Sequence, residues 1–199
     1  MEITYELSGL LTIGLPVWIV ARIITLIRKN SKGIKINIMK EISLNLFVVY
    51  LFILIGITIF PISIGGTMFH MQDLSFIQKY NIHFMPFVDY FKGGIRLATI
   101  IKNIGGNVVL LVPFILYLCT INEKMRNLKL CIIMSMFISL SIELTQLFTN
   151  IIGISYMRAV HVEDIILNTF GGIVAWIIFK FTYKGNMKSI IDNIYLQSV

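Results

Sequence analysis

LKLCIIMSMFISLSIELTQLFT, residues 128–149, is apolar for long enough to cross the hydrocarbon layer of a membrane, which takes about 20 residues of α-helix. It nevertheless carries a carboxylate, Glu143, well inside the block. A carboxylate at the bilayer centre costs roughly 2.5–3.5 kcal/mol on insertion scales. Residues three and four apart share a helix face, so Ser139, Glu143, Gln146 and Asn150 form one polar stripe, and Leu140, Leu144 and Leu147 are left for lipid. Such a stripe must turn toward protein, water or a ligand.

Four more blocks of the same kind flank this one, at about 8–27, 42–64, 104–121 and 164–183. Of the 199 residues 57% are hydrophobic and 14% charged, where a soluble domain carries about a quarter charged. A water-soluble core would leave the blocks nowhere to hide. They are continuous, not alternating, which selects helices over barrel strands. The expected fold is an all-α membrane protein: one membrane domain over residues 1–199, with about five transmembrane helices.

The net charge of +7 gathers at block ends, where it reads as a topology signal. No nucleic-acid partner is expected. Arg28, Lys29, Lys32, Lys35 and Lys40, then Lys124, Arg126 and Lys129, then Lys180, Lys184 and Lys188 fall on one side if there are five crossings. Lys79, Lys92, Arg96, Lys102 and Arg158 fall on the other, with the acidic start. The bias places the N-terminus outside and the C-terminus inside. That start lacks the basic region of a signal peptide, so the first block is expected to stay in the mature chain. Arg22, about one turn from the end of that block, can snorkel to the headgroups. Cys119 and Cys131 fall toward the inner side, where reduced thiols are expected.

Between the second and third blocks, residues 65–103 hold Phe69, Phe76, Tyr80, Phe84, Phe87, Tyr90 and Phe91, with Pro86 interrupting any long helix. Rings interleaved with Lys and Asp suit the headgroup layer. The segment is expected to be interfacial, either a cover over a lipid-facing site or a shield for helix ends. Ile190, Ile191 and Ile194 share a face in the tail and point to a second interfacial helix.

Other helices supply polar groups at the depth of the 139–150 stripe. Asp164 and Asn168 are one turn apart in the last block, with Gly171 and Ala175 permitting close approach, and Asn107 follows Gly105-Gly106 in the third. Arg158 and His161, in the short connector, reach the same level, and Arg158 is the natural partner for Glu143 or Asp164. Asn107, Glu143, Gln146, Arg158, Asp164 and Asn168 thus form a candidate polar pocket; the alternative is that they merely glue helices together. His161-Val-Glu-Asp164 has metal-ligand residue types without a second cluster at zinc spacing. His70, Asp73, His83 and Asp89 read as chance placements. No hydrolase or phosphate-loop motif is present, so no catalytic residue, metal or cofactor is assigned.

Ser139-Leu-Ser-Ile-Glu143-Leu-Thr-Gln146, then Arg158, then Glu163-Asp164-Ile-Ile-Leu-Asn168-Thr-Phe-Gly171-Gly172 resembles the signature half of the VanZ-like family. Gly106-Asn107-Val-Val-Leu-Leu-Val-Pro113-Phe114 is similar to its Asn-to-Pro helix element, and Asn81-Ile-His-Phe-Met-Pro86-Phe87 to its Pro-Phe element before that helix. The likeness covers about residues 81–180. Ile115 departs from it, standing where the family commonly has Gly. The resemblance implies a multi-pass protein of a bacterial plasma membrane, part of the cell envelope, with a link through the named member to resistance to the antibiotic teicoplanin.

On these grounds the expected function is binding of an amphiphile in an outer-leaflet polar pocket, either a lipid-linked envelope intermediate or a lipoglycopeptide such as teicoplanin. Arg158 would meet an anionic headgroup and the amides would supply neutral hydrogen bonds. Membrane lipids are the other expected partners. Two further classes compete: an intramembrane enzyme using Glu143 and Asp164 on a lipid headgroup, and a small transporter working as a homo-oligomer.

Overall fold

The computed structural model describes residues 3–64, 75–91, 94, 96–154 and 158–195. Phe69, His70, Asp73 and Lys92 lie outside the described residues, as do the side chains of Asp89 and Phe91. In chain order the elements are β1 (Ile3–Tyr5), α1 (Leu7–Ser31), α2 (Ile38–Ile59), β2 (Ile62–Ile64), α3 (Phe76–Lys79), β3 (Ile82–His83), α4 (Val88–Phe91), α5 (Leu97–Leu110), α6 (Val112–Ile121), a 3₁₀ turn (Glu123–Arg126), α7 (Leu128–Ile151), β4 (Val160–His161), α8 (Val162–Thr182) and α9 (Gly185–Tyr195). Among the described residues five spans are long and apolar enough to cross a membrane, with α5 and α6 together making the third. Among the described residues the fold is predominantly helical, with two short strand pairs and no closed sheet.

Caps fix where the spans begin. Asn37 accepts from Lys40 N at 3.2 Å to open α2, and Asn127 accepts from Lys129 N at 2.8 Å to open α7. The second span ends earlier than its hydropathy predicts, at Ile59, because Pro61 cannot continue a helical ladder. The apolar residues beyond it form β2 instead, which pairs antiparallel with β1 in the register Ile3↔Ile64, Thr4↔Ser63, Tyr5↔Ile62.

The third span starts at Leu97, earlier than the expected 104, and is broken at Leu111. Pro113 brings no N–H to the ladder there. At the break the Leu110 carbonyl accepts from the Tyr50 hydroxyl of α2 at 2.7 Å. Below the break, Ile115, Cys119, Cys131, Ala175 and Phe179 make the apolar core between α6, α7 and α8. Ile115, the departure from the family pattern, is completely buried there.

The two thiols lie with Sγ atoms 3.6 Å apart, both unbridged and both donating to the Met125 carbonyl in the 3₁₀ turn. Arg126 ties the same end to the tail: it donates to the Tyr183 hydroxyl at 2.6 Å and to Asp192 of α9 at 3.3 Å. Ile191 packs on the core while Ile190 stays exposed, so α9 docks by one face.

Glycine sets the tightest approach in the bundle. A Cβ on Gly171 would lie 2.1 Å from the Val108 carbonyl oxygen of α5, and one on Gly172 would lie 1.9 Å from the Ser135 hydroxyl of α7. α8 is therefore pressed against both neighbours. α1 stands apart. It buries no residue, and it meets α2 through Leu7 on Gly56 and Gly14 on Phe52 as well as through polar bonds. The Trp18 indole donates to Asn45 at 2.8 Å, and Glu41 accepts from Arg22 and, at 3.1 Å, from Lys29. Arg22 therefore finds a carboxylate on α2, where hydropathy alone predicts snorkelling.

Candidate functional site

The polar stripe of α7 is buried along its length: Ser135, Ser139, Glu143, Gln146, Thr149 and Asn150 all face protein. Each long side chain has a specific anchor where α2 ends and α8 begins. Glu143 accepts from the main-chain N–H of His161 at 3.0 Å, at the N-terminus of α8, where no carbonyl of the helix itself reaches. Asn168 donates to the Ser139 hydroxyl at 2.9 Å, one turn farther in on both helices. Asp164 accepts from the Asn107 amide of α5. Glu143 lies within electrostatic reach of Asp164, and Asp164 within reach of Glu163.

Arg158 corrects the expected charge partnership. It pairs with neither Glu143 nor Asp164. Its guanidinium donates to the Ile57 carbonyl at 2.7 Å and to the Phe60 carbonyl, both at the end of α2. The last carbonyls of a helix have no partner within it, and a planar fork satisfies two at once. Gln146 donates to the Thr58 carbonyl at 2.8 Å, and Asn150 holds the carbonyl of Arg158 itself at 2.7 Å. Burial lowers the pKa of the Arg158 guanidinium, from a value so high that it stays charged. The six candidate residues thus divide into two groups. Asn107, Glu143, Asp164 and Asn168 form an acidic seam among α5, α7 and α8. Gln146 and Arg158 fasten the end of α2 beside it.

Three residues outside the six candidates join the seam. β3 and β4 pair in parallel, with Ile82 opposite Val160 and His83 opposite His161, and the two imidazole rings stack at 4.5 Å between centroids. His83 is therefore part of the site and not a chance placement. Glu163, rather than its neighbour Asp164, is the fully buried carboxylate of the first turn of α8. It accepts from the main-chain N–H of Phe87 at 2.6 Å. Tyr90 bonds to the same carboxylate; burial first, then Glu163, push its phenol up to about 12. It remains a protonated donor at neutral pH.

Acceptors outnumber donors here. Among the described residues neither Glu143 nor Asp164 has a cationic partner, and their bonds come from a main-chain N–H and an amide. The side-chain oxygens of Gln146, Asn150, Asn168 and Thr169 are buried without a hydrogen-bond partner among the described residues. No group of three or more His, Cys, Asp or Glu side chains there is arranged to hold a metal ion. What the arrangement can do is receive donors: hydroxyls, amides or an ammonium group.

Five spans with a buried polar seam at one end define a multi-pass helical membrane protein. The VanZ/LLP1 family matches residues 47–183, and the chain belongs to that family. No curated protein and no solved structure matches the chain. The matched segment opens inside α2 and closes at Tyr183, so it takes in every residue of the seam and leaves out α1 and α9.

Proposed function

We propose that this VanZ-family protein binds an amphiphile from the outer leaflet of a bacterial plasma membrane, with the acidic seam receiving the headgroup. The observation that carries this reading is the surplus of buried acceptors. Among the described residues Glu143, Asp164 and Glu163 meet at one end of the bundle, held by neutral donors and a histidine, with amide oxygens lacking partners there as well. Keeping such groups within lipid is costly, and a guest rich in N–H and O–H groups offsets that cost. A lipid-linked envelope intermediate or a lipoglycopeptide such as teicoplanin fits, since each joins an acyl chain to a headgroup carrying many donors. The connector charges support an outer position for the seam, with the N-terminus outside. Arg158 fastens α2 in this reading and does not read the ligand.

The test is binding of teicoplanin and of candidate lipid-linked intermediates to protein reconstituted in nanodiscs. Glu143→Gln and Asp164→Asn should each weaken binding about tenfold, the size of one charge-assisted hydrogen bond. Protein abundance is measured alongside. Unchanged affinity in both variants would remove the proposal; reduced abundance with unchanged affinity in the surviving protein would leave helix packing as the role of these residues.

A second reading is favoured by one observation. The Tyr90 phenol on Glu163, and the His83–His161 stack beside Glu143, put proton donors and acceptors next to two carboxylates. An intramembrane enzyme would use such groups as acid and base on a lipid headgroup. It predicts altered headgroup composition in cells making the protein, abolished by Asp164→Asn.

A further inference from the structure

At the opposite end of the bundle, α2 and α6 meet through the Phe47 and Tyr117 rings but leave space beside them. They leave a groove of about 340 Å³. Met39, Ile42 and Leu46 form one wall; on the other, Tyr117 stacks on Phe47 at 3.8 Å between ring centroids, beside Pro113. The Tyr50 hydroxyl closes the far end by its bond to the Leu110 carbonyl, so the break in the third span sets the groove's length. The near end is polar and basic. Glu41, beside the groove residues Met39 and Ile42, takes both Arg22 and Lys29, two cations on one carboxylate. Lys40 lies 5.6 Å from the centre of the Tyr195 ring. Lys32 and Lys35 are exposed in the same connector.

We propose that this groove is a second site, independent of the acidic seam, for one anionic phospholipid of the cytoplasmic leaflet: an acyl chain in the groove and the phosphate at the basic mouth. The argument for this occupant is charge complementarity. An acyl chain gains little by exchanging bulk lipid for an apolar wall, because the two environments are equally apolar. Selectivity must then reside in the headgroup, where each Lys or Arg near the surface favours an anionic lipid about fivefold. The acidic seam has the opposite character, so the two ends of the protein sort lipids by opposite rules.

The experiment is native mass spectrometry of the full chain, released from micelles holding equal amounts of phosphatidylglycerol and phosphatidylcholine with identical acyl chains. Wild type should retain one phosphatidylglycerol per chain, at least about fivefold over phosphatidylcholine. Ser43→Trp fills the groove and should remove the retained lipid. Lys35→Gln with Lys40→Gln should keep a lipid and lose the preference, which separates a headgroup effect from misfolding. Equal retention of the two lipids by wild type, or an unaltered preference in Ser43→Trp, would overturn the proposal. So would efficient cross-linking of Leu46→Cys chains to one another, which would assign the groove to a second copy.

Discussion

α1 and α8 are both single apolar spans, and the more apolar one is the less buried. α1 has a mean hydropathy of 2.2 and none of its most apolar window inside the protein; α8 has 1.7 and a third of its window buried. In water the order would be reversed. In a bilayer lipid solvates Leu and Ile as well as a protein core does, so apolar residues give a helix no reason to turn inward. Carboxylates, amides and glycines do. α8 buries Glu163, Asn168, Gly171 and Gly172, and α1 offers Arg22 and Trp18, which reach only as far as α2.

The largest effect that would break this contrast belongs to Gly171. A methyl group there meets the Val108 carbonyl, which is main chain and cannot swing aside, so Gly171→Ala should cost about 3 kcal/mol in detergent unfolding and lower membrane abundance. The same change at Gly14 of α1 meets the Phe52 ring, which can rotate. The helix gain of roughly 1 kcal/mol for Ala over Gly should leave Gly14→Ala close to neutral. Equal losses at both sites would show that α1 is packed as tightly as α8.

Next in size is Arg158→Ala, which strands the Ile57 and Phe60 carbonyls in an apolar layer and should cost about 2–3 kcal/mol. Arg22→Ala leaves Glu41 still held by Lys29, so about 1 kcal/mol is expected in the same measurement. Glu143→Gln keeps an acceptor for His161 N and should change stability by less than about 1 kcal/mol while weakening ligand binding. A stability loss as large as that of Arg158→Ala would make Glu143 a structural cap and nothing more.

The smallest effect is alkaline. The Tyr90 phenol ionises at about 12 in the folded chain and near 10 when unfolded, so the folded state binds the proton more tightly. Its contribution to stability is complete below pH 10 and is lost as pH rises through 12. Tyr90→Phe should flatten the fall in stability over that window and remove one late-titrating phenol from an ultraviolet pH titration. An unaltered titration curve would take Tyr90 out of the Glu163 contact.

Most of the fold was legible because lipid thickness fixes span length and helical period fixes faces. The fourth block, expected at 128–149, forms as Leu128–Ile151, and the stripe from Ser139 to Asn150 is buried as its spacing predicts. What stayed hidden depends on tertiary docking. The Tyr50 bond that serves the break at Leu111 spans 60 residues, and the β3–β4 pairing that brings His83 to His161 joins segments 78 positions apart. Arg158 misled because its partners are main-chain carbonyls, which carry no residue identity to read. Between Glu163 and Asp164, spacing alone favours neither as the inward carboxylate; the rotation of α8, set by Gly171 and Gly172, decides it.

The anchors of Arg158 and Gln146 have an evolutionary corollary. Both grip α2 by the oxygens of Ile57, Thr58 and Phe60, and every amino acid supplies that oxygen. Positions 57, 58 and 60 can therefore drift through many side chains without loosening the clasp, provided the helix ends where it does. Descendants of this chain are free to rewrite much of the second helix, while the two residues that hold it stay under constraint.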